Sequence, residues 1–182
     1  NSSAQSDYAI TAPTGLTGSI AKKVLTVTAN NDAKFYGLAD ASGYYGVSYA
    51  GFVSGESATN LTTAPTLSRS NSAVNAAGSY TGVLVPSGAA ATNYSFTYVN
   101  GDYTIVPAGQ LLVRLGNTST VYGSAPTYTV TEAKYLKTDG TTQVNLLSTA
   151  GASASASTAG QVSVTDANGA SATFNATAAS GS

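Results

Sequence analysis

The chain has 182 residues, 8% of them charged, and a formal net charge of −1. That length suits one ordinary domain or two small ones, and only Lys22 and Lys23 place two basic residues side by side, which excludes the clustered cations a nucleic-acid backbone requires. Cysteine is absent, no apolar run approaches the roughly 18 residues of a membrane span, and no signal peptide opens the sequence, so the chain is expected to be mature or an internal segment, neither disulfide-linked nor membrane-inserted.

Gly, Ala, Ser, Thr and Asn make up 112 of the 182 residues. Between them Val, Leu, Ile, Phe and Tyr gather in short runs, enough for small cores. In chain order, residues 24–28 form the first β-rich run. Residues 44–52 are aromatic and punctuated by glycine, which predicts a bent strand or two short ones. Residues 56–61 suit one helical turn, and residues 79–85 suit another strand. Tyr94, Phe96 and Tyr98 then alternate with Ser95, Thr97 and Val99, the period-2 pattern of a half-buried strand.

Asn100-Gly101 separates that strand from Asp102-Tyr103-Thr104-Ile105-Val106. Both residues tolerate the positive φ of a two-residue type I′ turn, so a β-hairpin is predicted over 94–106. Residues 111–115 form a further strand. Residues 148–160 are mostly Ala and Ser with no apolar face for a helix, which predicts a surface loop.

Several of these runs recur. Leu25-Thr26-Val27-Thr28-Ala29-Asn30-Asn31 lies over Leu111-Leu112-Val113-Arg114-Leu115-Gly116-Asn117 at an offset of 86 residues. The same register places Phe35-Tyr36-Gly37 over Val121-Tyr122-Gly123 and Tyr8-Ala9-Ile10-Thr11 over Tyr94-Ser95-Phe96-Thr97. Near the end, Thr173-Phe174-Asn175-Ala176-Thr177 resembles residues 93–97 at an offset of 80. A repeat of this length marks tandem units. Residues 1–21 then read as the tail of a preceding repeat, 22–107 as a complete unit, and 108–182 as a second, divergent unit lacking its closing strand.

Leu25-Thr26-Val27-Thr28-Ala29-Asn30 followed by Lys34-Phe35-Tyr36-Gly37 resembles the opening of an MBG repeat of the YGX or YDG type. Ser48-Tyr49-Ala50-Gly51-Phe52-Val53, Asn75-Ala76-Ala77-Gly78-Ser79-Tyr80 and Tyr103-Thr104-Ile105-Val106-Pro107 continue the resemblance. It implies a mainly β fold: two tandem small units, β-grasp-like or sandwich-like, in an elongated array with little helix. It also implies a stalk, filament or adhesive role in a large bacterial exoprotein, secreted or at the cell surface, many of these resembling filamentous haemagglutinin-like adhesins.

The chain has no His, Cys, Met or Trp, which removes the usual general base, the thiolate nucleophile and the soft metal ligands. The eight acids are scattered, without the pairing a glycosidase needs. The sequence therefore predicts no enzyme, no cofactor and no metal. Asn30-Asn31-Asp32 and Asp166-Ala167-Asn168-Gly169 are the densest oxygen-ligand groups, and both read as Asx-type turns rather than calcium loops.

Tyr36-Gly37 and Tyr122-Gly123 are the structural signature of the repeat, with Asn100-Gly101 as its turn. Each Tyr of the pair is expected to be buried, its hydroxyl bonded to backbone beside a glycine that permits a turn. Tyr44, Tyr45 and Tyr49 are the candidates for an exposed platform on which sugar rings of a glycan or matrix polysaccharide could stack. The remaining partner expectation is strand pairing with neighbouring repeats or identical subunits across open edges. A Lys–Asn isopeptide cross-link, as in some bacterial surface domains, would stabilise a cysteine-free unit, but the sequence does not single out the three residues it needs.

Overall fold

The computed structural model describes residues 15, 18–116, 121, 124, 128–156 and 161–175, with Phe174 described by its backbone alone. Among these, the strands in order are β1 (Lys23–Ala29), β2 (Asp32–Phe35), β3 (Val47–Ala50), β4 (Thr66–Arg69), β5 (Gly78–Ser87), β6 (Tyr94–Val99) and β7 (Gly101–Val106). They continue as β8 (Leu111–Leu115), β9 (Val130–Leu136), β10 (Gln143–Asn145), β11 (Ser153–Ala156), β12 (Gln161–Thr165) and β13 (Ser171–Asn175). The protein is mainly β, as the composition suggests. The helical turn predicted near residue 58 is a 3-10 turn, Ala58–Asn60, closed by Ser57 and Asn60 in a reciprocal capping box.

The strands form four sheets, ordered β3-β1-β6, β2-β7-β5-β4, β10-β9-β8 and β11-β12-β13. No strand pairing among the described residues joins β1–β7 to β8–β13, so the pairing falls into two bodies. In the first, β1 alternates so that Leu25, Val27 and Ala29 turn inward. Ala29 meets Leu84 of β5 and Tyr103 and Ile105 of β7 in one buried cluster. Each large side chain buried there contributes about 1.5–3 kcal/mol. Ala29 of one sheet thus packs on residues of the other, the face-to-face contact of a sandwich-like arrangement.

The hairpin predicted at 94–106 does not form. β6 runs parallel to β1, whereas β7 runs parallel to β2 and antiparallel to β5, so residue 100 carries the chain from one sheet to the other. Neither Asn100 nor Gly101 has positive φ. Glycine is required at 101 for a different reason: a Cβ there would lie 2.6 Å from the Ala29 carbonyl oxygen. Asn100 and Asp102 also serve a bulge in β5, where the Asn100 amide donates to the Gly82 carbonyl at 3.0 Å and the Gly82 N–H donates to Asp102 at 2.8 Å.

In the second body the two sheets enclose Ala133, Leu146, Val162 and Val164. The loop predicted at 148–160 contains β11, which pairs antiparallel with β12. Ala154 and Ala156 turn toward the core while Ser153 and Ser155 face out, and Val162 and Val164 of β12 supply the apolar bulk that β11 lacks. β8 is the offset-86 counterpart of β1, but it pairs only with β9 among the described residues, whereas β1 lies between β3 and β6. Likewise β13, at the offset-80 match to β6, pairs with β12 and not with β8. Alternation specifies which face of a strand is buried, not which strand lies beside it.

Candidate functional site

Strand β2 carries two charged residues in a largely buried segment: Asp32 and Lys34 are 8% and 9% exposed. A charge in such a place needs a partner, and each has one. Lys34 Nζ lies 2.8 Å from Asp40 Oδ1 and donates to Asn75 Oδ1 at 2.9 Å. Asp40 also takes Nε and Nη2 of Arg69, at 2.9 and 3.2 Å, and the hydroxyls of Tyr44 and Tyr103, each at 3.2 Å.

The Arg69 side chain is fully buried at the end of β4. Its remaining N–H groups donate to the carbonyls of Asn71, Ser72 and Val74 and to Asn71 Oδ1, so the guanidinium organises the turn before β5. Burial alone would raise the Asp40 carboxyl, but hydrogen bonds and charge from Arg69 and Lys34 outweigh it and hold the group down at about 2. The Tyr103 phenol is pushed up by burial and by the Asp40 charge, so it stays a hydrogen-bond donor.

A second network crosses from one body to the other. Arg114 of β8 donates to Asp32 Oδ1 at 2.6 Å and to the Asn31 carbonyl at 3.2 Å, both in the first body. It also donates to Glu132 at 3.0 Å, its cross-strand neighbour on β9, and Glu132 pairs in turn with Lys134. The guanidinium lies 3.9 Å from the centroid of the Tyr45 ring. Burial opposes the charge on Arg114 and on Glu132, yet their ion partners keep both ionised, raising the arginine and lowering the carboxyl.

Beneath this chain of charges, Phe35, Val106 and Leu136 form a buried cluster with Ala33, Leu38, Ala108 and Leu112 around it, drawn from both bodies. The junction is therefore an apolar contact roofed by a guanidinium clamp. A cleft of about 370 Å³ lies beside it, lined by residues that include Asp32, Lys34, Arg114, Glu132 and Lys134. Each of those charges is already neutralised by the protein.

The residues singled out from sequence do not converge on this junction as a group. The Tyr36 ring is 55% exposed, contrary to the expectation that it is buried, while Gly37 has φ +80° and does permit a turn. Tyr122 and Gly123 lie outside the described residues. Tyr44 meets Tyr103 edge-on, Tyr45 lies under Arg114, and Tyr49 leans on Phe52 at 5.5 Å. Each of the three tyrosines thus has its own contact, with Tyr45 40% exposed and Tyr44 and Tyr49 half-buried.

Asp166 does form an Asx-type turn, accepting from the N–H groups of Asn168 and Ala170. The 30–32 segment does not: Asn30 reaches the Tyr45 carbonyl and Ser48, and Asn31 accepts from the Asp102 N–H at 2.7 Å. Among the described residues no group of three acidic, His or Cys side chains could hold a metal ion. Nor is any helix there long and apolar enough to cross a membrane.

Sequence reading missed Asp32, Lys34, Asp40, Arg69, Arg114 and Glu132 as a set. The available signal was sparseness: of 15 charged residues, seven (these six with Lys134) fall into the two networks. Residues 25–104 match the family described as MBG domain (YGX type). No curated protein and no solved structure matches the chain.

Proposed function

Taking residues 25–104 as an MBG domain of the YGX type, we propose that this chain is a non-catalytic structural segment, a stalk or filament element, of a bacterial secreted or cell-surface adhesin. The observation that carries the reading is the junction. A spacer that must transmit force or hold a distal tip away from the cell needs neighbouring modules set at a fixed angle. The Arg114 clamp over the Phe35–Val106–Leu136 cluster supplies both an apolar contact and a directional one. A freely jointed tether would need neither.

In this reading residues 22–107 and 108–182 are successive modules, and 1–21 belong to a module before them. The next contact along the array is strand pairing at β6 or β13, which are edge strands among the described residues. Small-angle scattering tests the reading. One rigid two-body shape should fit the data at all concentrations, whereas a profile that requires an ensemble of independently tumbling bodies would defeat it.

A further inference from the structure

The Lys34–Asp40–Asn75 contact brings together the three groups that an amide-forming reaction needs. A primary amine, a carboxamide and a carboxylate meet at one point: Lys34 Nζ is 2.9 Å from Asn75 Oδ1 and 2.8 Å from Asp40 Oδ1. The amine arrives from a strand that fixes it, with the Lys34 side chain 8% exposed. The carboxamide arrives from a turn whose preceding carbonyls, those of Asn71, Ser72 and Val74, are pinned by the buried Arg69. Both reactants are held before any reaction begins, which is the chief requirement for bond formation between two weakly reactive groups.

We propose that Lys34 and Asn75 form an intramolecular isopeptide bond, with Asp40 as the general base. Asp40 takes a proton from the Lys34 ammonium, and the freed amine attacks Asn75 Cγ to form the Nζ–Cγ bond. The tetrahedral intermediate collapses as the Cγ–Nδ2 bond breaks. The proton on Asp40 and a second proton from Nζ pass to the departing nitrogen, which leaves as ammonium, and Asp40 returns to its carboxylate. Atoms and charge balance without oxidant, metal or co-reactant.

Asn75 is on the exposed side of the cluster, so the released ammonium has an open path to solvent. Arg69 acts as a positioning residue: it orients Asp40 and the 71–74 turn and touches neither reacting atom. Because Arg69 and Lys34 hold Asp40 well below the ordinary carboxylate range, it is a weak base and the step is slow. The reaction needs to run only once in each molecule. The product ties β2 to the turn that enters β5, across the body that lacks disulfides.

Intact-mass spectrometry of the purified chain, followed through prolonged incubation at neutral pH, tests the proposal. The wild type should become lighter by one ammonia, while Lys34→Arg and Asn75→Ala keep the full sequence mass. Tryptic digestion should then yield a branched peptide joining residues 24–69, uncut at Lys34, to residues 70–114. Asn75→Ala alters an exposed turn residue, so it serves as the control should Lys34→Arg fail to fold. An unchanged wild-type mass would overturn the proposal. So would loss of ammonia that persists in Lys34→Arg, since that is the mark of a succinimide at an asparagine.

Discussion

Removing the Arg114 guanidinium should cost the junction more than either body. In Arg114→Ala, Asp32, whose side chain is 6% exposed beside the arginine, loses a partner at 2.6 Å. Stranding a carboxylate in that setting costs about 2–3 kcal/mol, less than for a fully buried pair because water reaches the arginine side. Losing the face of Tyr45 adds about 0.5–1 kcal/mol. Glu132 keeps Lys134 and contributes little to the loss. The sum is about 3 kcal/mol, of which about 1.5–2 kcal/mol belongs to the Arg114–Asp32 pair itself. Urea unfolding of wild type, Arg114→Ala, Asp32→Asn and the double variant closes the cycle. A coupling energy within about 0.3 kcal/mol of zero would show that the two side chains act independently, and the clamp would have no energetic content.

Two further outcomes follow from the first body. Asp40 sits at about 2 in the folded chain against an ordinary 3.8, so its pairing stabilises the fold fully above pH 4 and the stabilisation is lost as pH falls toward 2. That shift is worth about 2 kcal/mol; acid unfolding followed by circular dichroism in Asn75→Ala, where no cross-link can form, should show it, and Asp40→Asn should remove that part of the pH dependence. Gly101→Ala drives a methyl to within 2.6 Å of the Ala29 carbonyl oxygen and should destabilise by about 2–3 kcal/mol. Gly37→Ala, with open space around it and only its φ of +80° to strain, should cost about 1 kcal/mol. Equal losses of thermal stability in the two glycine variants would contradict the close-approach account.

What the sequence discloses and what it conceals divide along physical lines. β1 is legible because a buried face stamps a period of two on its residues, and 25–28 carry that stamp plainly; β8 is legible instead as a short apolar run, Leu111-Leu112-Val113, whose burial does not alternate. β11 is not legible: Ser153–Ala156 alternates in burial, but Ala and Ser have little intrinsic strand preference, and the bulk comes from Val162 and Val164 across the ladder. Asn100-Gly101 misleads because the dipeptide suits two situations, a tight hairpin and a close crossing between sheets, and only the neighbouring Ala29 distinguishes them. The ion networks are the least legible part. Asp40 and Arg69 are 29 residues apart, Lys34 and Asn75 are 41 apart, and Asp32 and Arg114 are 82 apart. No local pattern encodes contacts over those separations, although the rarity of charge hints that each one is committed.

The central claim is that the two bodies form one structural element of fixed geometry. The chain contains no cysteine, so spin labels can be placed at Ser54→Cys and Asn168→Cys, both exposed and one in each body, without removing native thiols. Pulsed dipolar spectroscopy then reads the distance between them. The account predicts a single narrow distribution in the wild type that broadens in Arg114→Ala. A broad wild-type distribution, unchanged by that substitution, would contradict it.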